Sequence, residues 1–252
     1  MYIRPPVADL RSEPDPRAER VSQLLCLTPC EPLEERGEFV RVRGPDGYEG
    51  WVRRSHLAGG MPPEPNLKVS RPLAPVGDPA TGEIVFTLPL DVRFRGEWTH
   101  GGVRLVLPTG GVGVVPAGAV RPLAWCGSRE DLVALGLSLR GHPYLWGGTS
   151  PFGFDCSGLV QRLFHFVYNI WLPRDSRDQA GVGREVGLGE VAPGDLLFFP
   201  GHVAIWVGQG KILHASAREG MVALSSLSEL GREFLGVRRI EPPSGCRNGG
   251  RG

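Results

Sequence analysis

The 252-residue chain has few of the features that mark several protein classes. Charge imbalance is nearly absent: 28 lysines and arginines stand against 27 aspartates and glutamates, for a formal net charge of +1. A polyanion such as nucleic acid is therefore not an expected partner. No apolar run approaches the ~20 residues of a membrane-crossing helix, so no membrane partner is expected either. The opening Met1-Tyr2-Ile3-Arg4-Pro5-Pro6 lacks the apolar core of a secretory leader. Cysteine is scarce, and its five copies are odd in number and irregular in spacing. That pattern does not look like a disulfide framework. Cys26 and Cys30 lie close together in a β-rich stretch with no second pair of metal ligands, and read as core or surface thiols. The cysteine pattern points to a reducing cytoplasm; no metal or cofactor is expected, and the expected state is a monomer.

Glycine and proline are plentiful, with 37 and 24 copies, and they divide the chain. Residues 1–58 read as short strands and turns: Glu38-Phe39-Val40-Arg41-Val42-Arg43 alternates, Gly44-Pro45-Asp46-Gly47 turns, and Glu49-Gly50-Trp51-Val52 resumes. Gly59-Gly60-Met61-Pro62-Pro63-Glu64-Pro65 is a linker. Residues 66–123 then repeat the theme at a constant offset of 63 positions (103 − 40), which carries Val40 to Val103, Pro45 to Pro108, Gly47 to Gly110 and Gly50 to Gly113. Turn residues recurring in register indicate two copies of one small barrel. Residues 124–242 form a third segment, and 243–252 lack periodicity and read as a disordered tail.

In the third segment Ser128 is placed to cap a helix over Arg129 to Leu139, with Leu132, Leu135 and Leu139 on one face. The stretch Gly153-Phe154-Asp155-Cys156-Ser157-Gly158 follows a glycine-rich loop and precedes apolar residues at Leu159, Val160, Leu163, Phe164 and Val167, the spacing of a helix face. Asn169 suits a left-handed helix cap. Cys156 thus stands where loop becomes helix, where backbone N–H groups stabilise an anion and lower a thiol's pKa. Alone, it reads equally as a nucleophile or as a buried structural thiol. Downstream, His202-Val203-Ala204-Ile205-Trp206-Val207, Gly208-Gln209-Gly210 and Lys211-Ile212-Leu213-His214 read as a hairpin. A three-residue turn centred on Gln209 pairs Val207 with Lys211 and Ala204 with His214. His202 and His214 then become diagonal neighbours on one sheet face, roughly 7–8 Å apart at the backbone. One histidine would take a thiol proton and the other would orient it. His214 is otherwise a histidine satisfied within a strand.

Four motifs in order, Asp155-Cys156-Ser157-Gly158-Leu159-Val160, Leu172-Pro173-Arg174-Asp175-Ser176, Pro193-Gly194-Asp195-Leu196-Leu197-Phe198-Phe199, and His202-Val203-Ala204-Ile205 through His214-Ala215-Ser216, resemble the NlpC-type cell-wall cysteine peptidases over roughly residues 124–242. The first barrel, with Gly47-Tyr48-Glu49-Gly50-Trp51-Val52, resembles the bacterial SH3 domain. The second has drifted, with Gly111 and Val114 where the first has Tyr48 and Trp51. The resemblance implies an α+β architecture, a papain-like peptidase domain preceded by two small SH3-like β-barrels. It implies hydrolysis of the γ-D-glutamyl-L-diamino acid bond in peptidoglycan stem peptides. Cys156 would be the nucleophile, His202 the base, His214 the orienting third residue, and Tyr144 a donor near the oxyanion. Spacing alone leaves Tyr144 open between that role and packing. Ser157, Asp175 and Ser176 would hold the alanyl-glutamyl portion of the substrate, although Arg174 and Asp175 equally suit a structural ion pair. Related chains with N-terminal SH3 domains place an acid and a tyrosine over the cleft to bind a free L-alanine amine. The positions that resemble these are Glu13 and Tyr48, which otherwise read as a solvated loop charge and as barrel packing.

The expected substrate is therefore a small muropeptide, L-Ala-γ-D-Glu-diamino acid, met during wall recycling. The alternative is a general stem-peptide endopeptidase or amidase whose SH3 domains bind the wall. A metal site made of Cys156, His202 and His214 is disfavoured, because its spacings match no zinc ribbon or finger.

Overall fold

The computed structural model describes residues 1–246 and divides into two compact units, Met1–Trp125 and the part from Cys126 onward. No helix of the described residues is long and apolar enough to cross a membrane. Strands dominate, and the α-helices among the described residues lie in the second unit.

In the first unit, alternating residues build two five-stranded antiparallel sheets. One places its strands in the order Arg20–Leu25, Val7–Arg11, Glu49–Arg53, Phe39–Arg43, Glu31–Arg36. The other runs Ile84–Pro89, Leu73–Gly77, Val112–Val115, Gly102–Val106, Gly96–Thr99. Numbered along the chain, the two orders are the same. Each is accompanied by a 3-10 turn at matching places, Arg54–His56 and Ala117–Ala119. The linker does not isolate the two halves. Leu25, Cys26 and Leu27 from the first pack in the same core as Leu67, Val76, Phe94, Val103 and Val115 from the second. Segments of this size bury little surface and are marginal alone, and a shared core adds to what each buries. Cys26 is buried there, and Cys30 lies in the first sheet's own core beside Val40 and Val42.

The second unit sets three helices against a six-stranded antiparallel sheet. Helix α1 is Arg129–Ser138, α2 is Cys156–Tyr168, and α3 is Ser176–Gln179. Ser128 caps α1 as its position implied, accepting from Asp131 N while the Asp131 side chain accepts from Ser128 N. The sheet order is Arg184–Val186, Gly236–Arg239, Leu196–Phe199, His202–Gly208, Lys211–Ser216, Met221–Ser226. Helix α2 is buried on every side rather than along one apolar face. Its polar residues are consumed internally: Gln161 Nε2 donates to Leu172 O at 2.9 Å, Arg162 Nε to Thr149 O at 3.0 Å, and His165 stacks on Trp171 at 3.6 Å. Asn169 ends the helix in the left-handed conformation, at φ 57°.

The expected tail is partly ordered. Residues 247–252 lie outside the described residues, but Ser244–Cys246 form a short turn, and Cys246 is buried in a disulfide with Cys126. This corrects the reading of an all-thiol protein. The two cysteines are 120 positions apart, so only folding brings them together.

Candidate active site

Glycine lets the loop before Cys156 close. A Cβ on Gly158, in the first turn of α2, would collide with the Gly148 carbonyl oxygen. The Asp155 carboxylate ties the same loop down by five hydrogen bonds. Oδ1 accepts from Gly158 N at 2.7 Å, Ser157 Oγ at 3.3 Å and Arg174 Nη1 at 3.1 Å. Oδ2 accepts from Gly147 N at 3.0 Å and Arg174 Nη2 at 2.5 Å. A capping carboxylate stabilises the helix start, and the buried guanidinium balances its charge. Arg174 therefore pairs with Asp155, a partner that the sequence reading did not consider.

Cys156 opens α2 beneath this network and lines a cleft of about 270 Å³ with Tyr144, Trp146, His202, His214 and Arg232. Backbone N–H groups of Val203 and Ser157, together with Arg174, favour a thiolate, but burial and the nearby Asp155 carboxylate outweigh them, and the Cys156 thiol is pushed up. This corrects the expectation of a depressed thiol. A helix start favours an anion only as far as solvent or countercharge offsets its desolvation. Burial, with His214 and Arg232 nearby, pushes His202 down to about 3, and burial and Arg232 lower His214 as well, against the opposing pull of Glu219. The resting site thus holds a neutral thiol and neutral imidazoles.

His202 Nε2 and His214 Nδ1 are 2.8 Å apart, with the rings edge to face. In the body of the hairpin Ile205 pairs with Leu213 and Trp206 with Ile212, the register the alternation implied. The turn differs. Gly208 pairs with Lys211, leaving a bulge at Val207 and a two-residue Gln209-Gly210 turn with both φ positive, at 52° and 70°. Primed turns of this kind match the strand twist. The histidine pair is unaffected because the slip lies beyond it.

The other candidates are spread more widely. Tyr144 lines the cleft, and burial, with the Asp155 carboxylate nearby, pushes its hydroxyl up, so that it stays protonated as a donor. Ser157 is buried, accepts from Arg174 Nη1 at 2.9 Å and donates to Asp155, so its hydroxyl serves the loop rather than lining the cleft. Asp175 is exposed at the start of α3 and Ser176 is half-buried beside it. Glu13 is exposed and Tyr48 is half-buried against the first sheet's core; both belong to the first unit. The sequence reading missed Asp155, Ser225, Glu219 and Arg232. Asp155 carries a signal, an aspartate immediately before an apolar-periodic run. The other three carry none, since their neighbours arrive by sheet pairing and loop folding.

A thiol at a helix start, sharing a cleft with two hydrogen-bonded histidines on an antiparallel sheet, defines a papain-like cysteine hydrolase. The NlpC/P60 family model matches residues 141–239, and the model for the bacterial dipeptidyl-peptidase Sh3 domain matches residues 10–57. The chain is 31% identical to dipeptidyl-peptidase 6 of Lysinibacillus sphaericus, over 88% of this chain and 90% of that one. It is 32% identical to a gamma-D-glutamyl-L-lysine dipeptidyl-peptidase of Bacillus subtilis, over 81% and 76%. An NlpC/P60 family protein from Bacillus cereus shares the fold, with a TM-score of 0.84 at 23% identity, over 94% of this chain and 98% of that one. The chain belongs to the NlpC/P60 family: it is a cell-wall peptidase carrying a bacterial SH3 domain.

Proposed function

We propose that the protein cleaves the γ-D-glutamyl-L-diamino acid bond of small muropeptides bearing a free N-terminal L-alanine. The observation that carries this is the cleft shared by Cys156, His202 and His214, with the activity for which the Bacillus subtilis relative is named in support. As the Cys156 sulfur attacks the glutamyl carbonyl, its proton passes to His202. The Tyr144 hydroxyl and backbone N–H groups receive the oxyanion. His202 returns the proton to the leaving amine, and water then hydrolyses the thioester. Proton transfer concerted with attack suits a site whose resting groups are neutral. Asp175 and Ser176 hold the alanyl-glutamyl portion, and Ser157 contributes by fixing Arg174.

Glu13 and Tyr48 recognise the alanine ammonium in this reading, because an ammonium withdrawn from water needs an opposite charge. Residues 66–123 act as a second SH3-like barrel, a reading supported by the shared strand order. A cytoplasmic role in wall recycling completes the proposal. The Cys126–Cys246 bridge weighs against it, and trapping those thiols in cells by rapid alkylation tests it, because a reducing compartment keeps both free.

The decisive experiment is mass spectrometry of products from free and N-acetylated L-Ala-γ-D-Glu-diaminopimelate, using wild type, Glu13→Gln and an inactive Cys156→Ala control. A charge-assisted hydrogen bond contributes about 1.5–3 kcal/mol. Glu13→Gln should therefore lower kcat/KM on the free peptide by roughly 10- to 150-fold, and change little on the acetylated one. Equal cleavage of both peptides by wild type would leave a general stem-peptide endopeptidase.

A further inference from the structure

Four side chains that line the cleft of Cys156 are hydrogen-bonded in a row. Ser225 Oγ donates to Glu219 Oε1 at 3.0 Å and lies 3.0 Å from His214 Nε2, while His214 Nδ1 lies 2.8 Å from His202 Nε2. Sheet pairing builds the line. His214 pairs with Ala223, so Ser225 is its diagonal neighbour on the same face, and Glu219 comes from the turn joining the two strands.

The carboxylate end dictates where every proton sits. A carboxylate only accepts, so the Ser225 proton points at Glu219 and Ser225 has only lone pairs left for His214. His214 Nε2 must then carry the hydrogen. A neutral imidazole carries one, so His214 Nδ1 is bare and accepts from His202 Nε2–H. The lone pair left over is on His202 Nδ1. The reversed chain is equally well bonded among the three inner groups: Ser225 would donate to His214 Nε2, His214 Nδ1–H to His202 Nε2, and His202 Nδ1 would keep its hydrogen. In that arrangement His202 has no lone pair free for a thiol proton. Only the Glu219 carboxylate distinguishes the two.

We infer that Ser225 and Glu219 are positioning residues that hold His202 and His214 as Nε2–H tautomers and so leave His202 Nδ1 bare for the Cys156 proton. This rests on the reading of His202 as the base, and extends the pair of histidines to a directed chain of four groups.

The test is long-range 1H–15N NMR of the full chain labelled in histidine, alongside kinetics on L-Ala-γ-D-Glu-diaminopimelate. Wild type is expected to show both histidines as Nε2–H tautomers. Ser225→Ala and Glu219→Gln should shift both toward mixed tautomers. Losing a neutral hydrogen bond in Ser225→Ala should lower kcat roughly 2- to 12-fold with KM unchanged, and Ser225→Thr, which keeps the hydroxyl, should restore both readouts. A wild-type His202 protonated at Nδ1, or tautomers unchanged in Ser225→Ala and Glu219→Gln, would overturn the inference. Full activity of His202→Ala would instead overturn the base reading, whatever the spectra show.

Discussion

His202 is an imidazole held without its proton, and that state should be measurable as stability. Its folded pKa, about 3, lies below the ordinary histidine value of 6.5. Between those two values the unfolded chain binds a proton that the folded site refuses, so stability is full above about 6.5 and falls as the pH drops toward about 3. The slope for one such group reaches about 1.4 kcal/mol per pH unit. Urea midpoints measured from pH 7 to 4 should fall more steeply for wild type than for His202→Gln, and parallel curves would sink the idea. The thiol gives a second test. Cys156 should take iodoacetamide ahead of Cys26 and Cys30, which are buried and pushed up to about 12 and about 11, while Cys126 and Cys246 stay unlabelled until reduced. Because its own pKa is raised, the Cys156 labelling rate should climb through the alkaline range. A rate already flat below pH 7 would mean a preformed thiolate.

At the scale of elements, α2 is a buried helix anchored at its start by the Asp155–Arg174 ion pair. Arg174 is buried and is the arginine on Asp155. Asp195, also buried, has two arginines, Arg129 and Arg239, both partly exposed. Removing one partner of a buried pair leaves an uncompensated charge and costs about 3–5 kcal/mol. Arg174→Ala should therefore destabilise the protein by about that much in urea unfolding. Arg129→Ala should cost clearly less, because Arg239 still bonds both Asp195 oxygens, at 2.8 and 2.7 Å. Comparable losses would show that Asp155 is balanced by its backbone donors rather than by Arg174. The same design explains why the helix tolerates Gln161, Arg162 and His165 inside: each has its own partner, so none is buried unpaired.

At the scale of the molecule, each unit closes on itself by a different device. The first merges its two sheets into one core through Leu25, Cys26 and Leu27. The second joins the segment before α1 to the chain beyond its last strand through Cys126 and Cys246. A cross-link over a loop that long removes unfolded-state entropy worth up to about 5 kcal/mol, and disulfides typically stabilise by about 2–4 kcal/mol. Cys246→Ser, or reduction, should lower the unfolding midpoint of the second unit accordingly. An unchanged midpoint on adding reductant would show that the bridge contributes nothing.

Local chemistry was legible in the sequence. A glycine-rich loop before a 3.6-residue period put Cys156 at a helix start, Ser128 announced its cap, Asn169 its left-handed end, and strand alternation put His202 and His214 on one face, because each signal is carried by neighbours along the chain. Tertiary structure alone decided what those groups are worth. It sank the thiol among buried atoms and raised its pKa where the helix start suggested the reverse. It assigned Arg174 to Asp155, brought Ser225 and Glu219 behind His214, and joined Cys126 to Cys246 across 120 positions. Burial and countercharge are sums over atoms that meet only after folding, and no periodicity records them.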